Sequence, residues 1–234
     1  MPRPFLTAVW RNLILAHYPV PDELLVPLLP AGLEPDRRDG RCWVSLVGFQ
    51  FLRTRVFGVG WPGFRDFPEW NLRAYVRRGD QRGVFFVREF VRSRFVAWTA
   101  RRFYNEPYLA VPMAEEVSPE AATYRVLHGN RWHELHATVG GPPSVPPPDS
   151  ADAFFIDQSW GFGRTRRGAI QQYAVEHPPW AVYPVAASRV GVDWPALYGP
   201  AWSPLAGVAP AAVTFVVGSA VAVYPANRGN GSAV

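Results

Sequence analysis

The run FPEWNLRAYVRR carries an acid, an amide and a base at every second position, Glu69, Asn71 and Arg73, followed by Tyr75 and Arg77. In an extended chain successive side chains alternate between faces, so this row shares one face while Trp70, Leu72, Ala74 and Val76 take the other. A carboxyl beside a guanidinium is equipment for proton transfer and for holding an anion. In an open sandwich the row is a wetted exterior; in a closed barrel it lines a cavity. The next apolar run, VFFVREFV, is broken by Arg88 and Glu89, which alternation sends to opposite faces, so one of them is directed at a core or a pocket. A buried charge needs a partner, and Glu69 with Arg73, or Glu89 with an arginine of a neighbouring strand, are the pairs this suggests.

Two further places invite chemistry. RWHELH holds His133, Glu134 and His136, but on a strand the two histidines face opposite sides, leaving only Glu134 and His136 to share a ligand sphere, so no metal is expected. His177 in VEHPPW is followed by two prolines that fix the backbone and by Trp180, which can wall the ring in. Nucleophile-elbow, P-loop, dinucleotide-turn and zinc-helix signatures are absent. All 24 basic side chains are arginine. Mechanisms that need an internal lysine, as Schiff base, general base or phosphate ligand, are thereby excluded.

The elements that must position these groups are strands. The 25 prolines and 20 glycines among 234 residues leave room for few long helices. LTAVWRNLILAHYPV reads as a first strand and PDELLVPLLP as a short helix with Pro21 in its first turn, ended near Pro30 and Gly32. CWVSLVGFQFLRTRVF is a strand in which Cys42 is a small buried residue, and EWNLRAYVRR with VFFVREFVRS forms a hairpin across GDQRG. SRFVAWTARRFYN is the best helix candidate, with Phe95, Trp98, Thr99, Arg102 and Phe103 on one stripe before Pro107. TYRVLHGNRWHELHATV is a hairpin around Gly129 and Asn130; a helix capped by Ser150, another hairpin and the strand PAAVTFVVGSAVAVYP follow. The chain 1–234 is expected to be one domain, with a long Pro-rich loop at 140–150 and a frayed tail at 226–234. Charge of +5 comes as scattered arginine pairs, so no nucleic-acid partner is expected. There is no 18-residue apolar run and no signal-peptide succession at the start, so the expectation is a soluble, cytoplasmic protein with no membrane partner.

The ordered motifs LLPAGLEPD, GRCWVSLVGFQFLRTRV, FPEWNLRAYVRR, ARRFYNEPY, DQSWGF and VEHPPW resemble the YqjF-like family over nearly the whole chain. That family is similar to acetoacetate decarboxylase and belongs to the acetoacetate decarboxylase-like superfamily. The resemblance implies a mainly β fold with a few short helices, its antiparallel sheets curved into a cone-shaped barrel around a central pocket, and a possible homo-oligomer. The decarboxylase uses a Schiff-base lysine; in this chain that stretch corresponds to YNEPY, and the lysine position falls on or beside Tyr108, a phenol that cannot form an imine. The same resemblance marks Glu69 as the retained acidic residue.

The expectation is a protein that binds a small anionic organic acid or carbonyl compound, with no cofactor. Glu69, Tyr108 and Glu106 are the candidates for acid and base work; Asn71, Arg73, Arg88, Glu89, Tyr104, Asn105, His177 and Trp180 are candidates for ligand contact. The alternative is a non-catalytic relative whose cavity is filled by aromatic residues such as Trp70, Phe86 and Trp98.

Overall fold

The computed structural model describes residues 3–61, 64–98, 107–165 and 167–225. Its strands are β1 (Leu6–Val20), β2 (Glu34–Pro35), β3 (Cys42–Val56), β4 (Phe67–Arg78), β5 (Gln81–Val91), β6 (Tyr108–Ala110) and β7 (Met113–Val117). Then come β8 (Ala121–His128), β9 (Arg131–Val139), β10 (Trp160–Arg164), β11 (Ile170–Glu176), β12 (Val182–Tyr183), β13 (Val185–Gly191) and β14 (Ala212–Pro225). The helical segments among the described residues are α1 (Asp22–Leu25), α2 (described over 94–98), α3 (Ala151–Ile156) and α4 (Trp194–Tyr198). No described helix is long and apolar enough to cross a membrane.

The larger sheet runs β4-β3-β1-β14-β11-β10-β5, and β5 pairs back onto β4, so these strands form a ring. A second sheet, β13-β9-β8-β7, packs outside it. One core fills the space between them, with Trp70, Leu72, Ala74 and Val76 of β4 against Ala122, Tyr124 and Leu135 of the second sheet and against α4. Close approach is possible because position 48 on β3 is glycine: a Cβ there would lie 2.7 Å from the ring of Tyr124. A second core lies on the other face of β4 and includes Leu13, Phe49, Tyr75, Phe154 and Phe155.

The strands and hairpins expected around β1, β3, β4–β5, β8–β9, β10–β11 and β14 are present, and Gly129 and Asn130 turn the β8–β9 hairpin with positive φ at both positions. Ser150 caps α3, its hydroxyl accepting from the Ala153 N–H at 3.1 Å. Pro21 departs from expectation: it is the extended residue before α1 rather than part of its first turn. The sheet is also not wholly antiparallel, because β5 pairs in parallel with both β10 and β6. Gly83 permits the first of these contacts, since a Cβ there would meet the Trp160 carbonyl at 2.1 Å. Of the long helix expected around residue 98, only 94–98 is described as helical, and Thr99, Arg102 and Phe103 lie outside the described residues.

Candidate functional site

The ring encloses a cavity of about 440 Å³. Each ring strand contributes to its wall, including Trp10 of β1, Phe49 of β3, Arg73 of β4, Phe86 of β5, Trp160 of β10, Val175 of β11 and Val223 of β14. Its size is in the range of small-molecule sites, which run from about 300 to about 1,000 Å³.

The polar row of β4 faces inward: Glu69, Asn71 and Arg73 line this cavity, while Trp70 and Leu72 belong to the core behind. Glu89 joins them and Arg88 does not. Simple alternation from Val84 and Phe86, both cavity residues, would have put Arg88 inside. The register instead slips, with Leu72 opposite Arg88 and Arg73 opposite Phe86, so that Val87 is an extra residue and the faces exchange beyond it. Arg88 is therefore directed to the outer core, where its guanidinium donates to the Leu197 carbonyl.

Glu69 is the centre of the polar end. Its Oε1 accepts from Asn71 Nδ2 at 3.0 Å and its Oε2 from the Tyr108 hydroxyl at 2.8 Å. Both hydrogen bonds favour the carboxylate, but burial outweighs them and pushes the Glu69 acid up to about 7. Burial, and then the carboxyls of Glu69 and Glu89, hold the Tyr108 phenol protonated well above its ordinary range. Glu69 and Arg73 do not form the direct ion pair that their spacing suggested: Arg73 Nη2 donates to the Phe155 carbonyl at 2.9 Å, and its guanidinium lies 5.6 Å from the Tyr75 ring centre.

His177 and Trp180 also line the cavity, their ring centres stacked 3.9 Å apart. Because the Pro178 carbonyl can only accept, the hydrogen bond of 2.9 Å to His177 Nδ1 fixes the proton on that nitrogen. Burial lowers the His177 pKa, which favours the neutral ring. Phe86 and Trp98 also belong to the wall, but Trp70 does not fill the cavity; its indole donates to the Tyr198 hydroxyl at 2.9 Å in the outer core. Tyr104, Asn105 and Glu106 lie outside the described residues. Glu134 is bonded to Arg125 and Arg189, and no three His, Cys, Asp or Glu side chains gather as a metal site among the described residues.

Two contributors have no role in the sequence reading. Gln158, after α3, lines the cavity and donates from Nε2 to the Phe154 carbonyl at 2.6 Å. His17 is buried behind the cavity, stacked on Phe155 with ring centres 3.7 Å apart. Its hydrogen bonds have one consistent direction, since Thr214 donates to Asp152 Oδ1 at 2.6 Å. Thr214 then accepts from His17 Nε2 at 2.9 Å, His17 Nδ1 accepts from Ser45 at 2.6 Å, and Ser45 accepts from Tyr75 at 2.6 Å. Burial, and then Arg73, push the His17 pKa well below its usual value, so the ring in this chain is neutral. The chain ties β1, β3, β4 and β14 to α3, the element that supplies the Arg73 acceptor. A lone histidine inside the apolar run LILAHYPV was the available signal, by the same argument that singled out Arg88 and Glu89.

A profile of the DUF2071 family, described as an uncharacterized conserved protein, matches residues 7–217. The uncharacterized protein YqjF of Bacillus subtilis is 30% identical over 177 residues, covering 73% of this chain and 72% of that one. Among solved structures, acetoacetate decarboxylase from Legionella pneumophila superposes with a TM-score of 0.65 at 12% identity, over 95% of this chain and 86% of that one. The enduracididine biosynthesis enzyme MppR, complexed with pyruvate, gives a TM-score of 0.65 at 14% identity, over 96% and 89%. The fold is thus the mainly β, acetoacetate decarboxylase-like one.

Proposed function

The chain belongs to the DUF2071 family, and from that premise we propose that it binds a small organic acid or carbonyl compound in the ring cavity and moves a proton there without a Schiff base. The observation that carries this reading is the buried Glu69, held by Asn71 and Tyr108 on the same wall as Arg73 and Glu89. An acid poised at about 7 exchanges its proton readily near neutral pH. The step this supports is proton abstraction beside a carbonyl: the C–H bond breaks, its proton goes to a Glu69 oxygen, and the electron pair moves onto the carbonyl oxygen as an enolate. Arg73, which lines the same cavity, is the cation this reading assigns to that charge, and return of the proton at another carbon completes an isomerisation. The similarity in fold to a protein seen with pyruvate agrees with a ligand of this chemistry. A cavity of about 440 Å³ disfavours the filled-barrel alternative.

The test is a thermal-shift screen of carboxylates, oxo acids and aldehydes or ketones on the wild type, Tyr108→Phe and Arg73→Ala. A ligand at a hundredfold excess over its Kd adds about 2.7 kcal/mol of stability. The reading expects such a gain in the wild type and its loss in both variants. No gain with any compound, from variants as stable as the wild type, would overturn it.

A further inference from the structure

The two ends of the cavity have the reverse of the usual polarity. Its acidic and basic groups are withdrawn from water: Glu69 is 2% exposed and Arg73 7%. Its mouth, formed by the end of β3, the segment after it and α2, is aromatic and open, with Phe57 69% exposed, Trp61 55% and Trp98 54%. Water-facing Trp and Phe gathered at one opening mark a surface meant to contact something apolar. The wall between mouth and closed end continues that character through Phe51, Phe67, Trp10 and Phe86.

Volume says what fits. A dry cavity of about 150 Å³ already holds benzene. This one, about 440 Å³, is about three times larger, while a three-carbon acid is smaller than benzene. The polar end needs only a small head. Its buried groups include Asn71 Oδ1, Arg73 Nε and Gln158 Oε1, atoms on residues of this wall with no hydrogen-bond partner among the described residues, able to serve a carbonyl or carboxyl and its neighbours.

The geometry points to an amphipathic ligand: a carbonyl or carboxyl head at Glu69, Tyr108 and Arg73, with a long alkyl or aryl body running along the aromatic wall to the mouth at Trp61 and Trp98. This rests on the acid or carbonyl reading above and adds the apolar body. Selection for chain length follows from it, because each methylene that enters the cavity leaves water.

Isothermal titration calorimetry of the full chain with pyruvate, oxohexanoate, oxodecanoate and phenylpyruvate tests this, with decanol as a control that has the tail without the head. Affinity is expected to rise about three- to fourfold per added methylene. Trp61→Ala with Trp98→Ala is expected to weaken oxodecanoate about tenfold and to leave pyruvate within about twofold. Affinity independent of length would overturn the amphipathic ligand and leave the acid or carbonyl reading standing. Equal binding of decanol and oxodecanoate would overturn the head assignment, and with it the proposal as stated. If no oxo acid of any length binds, both fail. A dimer in light scattering that the two tryptophan substitutions dissociate, with no dependence on length, would assign the mouth to a contact between copies and also overturn the proposal.

Discussion

Trp70 and Leu72 on one face of β4 enter a packed core, while Glu69 and Asn71, each one residue away, enter a cavity. Both faces are buried, yet the outer one is filled by close-packed side chains and the inner one holds charge around open space. The difference lies in what covers each face. The second sheet and α4 close over the outer face with matching side chains, down to the glycine that lets Tyr124 approach. The inner face is met by the other strands of the ring and, at the Arg73 and Tyr75 end, by α3, and the curvature of the ring leaves a cavity between them. Alternation along one strand thus divides stability from chemistry.

Substitutions on the two faces should differ in size and sign. The largest effect is expected at Trp70→Ala, which empties a filled site and should cost about 3–5 kcal/mol in urea unfolding, with ligand affinity unchanged in what remains folded. His17→Ala comes next at about 3 kcal/mol, because it removes two buried hydrogen bonds and the stack on Phe155. It should also alter the acid side of the stability profile. Below pH 6.5 the unfolded chain binds a proton at His17 that the folded chain refuses, so wild-type stability falls with pH there and the variant should lose that slope.

Glu69→Gln should act in the opposite direction. The folded chain holds the Glu69 proton more tightly than the unfolded chain, whose ordinary value is 4.5. Stability is therefore lost as pH rises from 4.5 to about 7, and above that the full cost stands. The neutral glutamine should stabilise the protein at pH 8 by on the order of 2 kcal/mol while abolishing proton transfer. A lower melting temperature instead would make Glu69 a structural group and erase the contrast between faces. Trp61→Ala, at an exposed position, is expected to change stability by less than about 0.5 kcal/mol.

Much of this contrast was legible in the chain. Period two along FPEWNLRAYVRR separates Glu69, Asn71 and Arg73 from Trp70 and Leu72 because β4 is regular through these residues and needs no knowledge of its neighbours. The slip at Val87 was not legible, since a bulge is a property of a strand pair, and it decides that Glu89 rather than Arg88 meets the cavity. Closure of the ring was implied by the family resemblance but not by the residues themselves, because it depends on parallel pairing of β5 with β10, strands far apart in sequence. Short elements such as β6 and β12, and α4 with its following turn at Pro200–Leu205, carry too few residues for a period to show, and β13 is exposed over most of its length, so its side chains show no alternation. Gln158 sits in an irregular segment where no pattern marks a direction.

The central claim is that the inner face of β4 holds a carboxyl poised for proton exchange, and a titration of that carboxyl tests it most directly. Carbon-13 NMR of glutamate-labelled protein, assigned by subtraction of Glu69→Gln, should show one carboxyl with a midpoint near 7 that moves when an oxo acid is added. A Glu69 midpoint near the ordinary 4.5, unmoved by any oxo acid, would contradict the account.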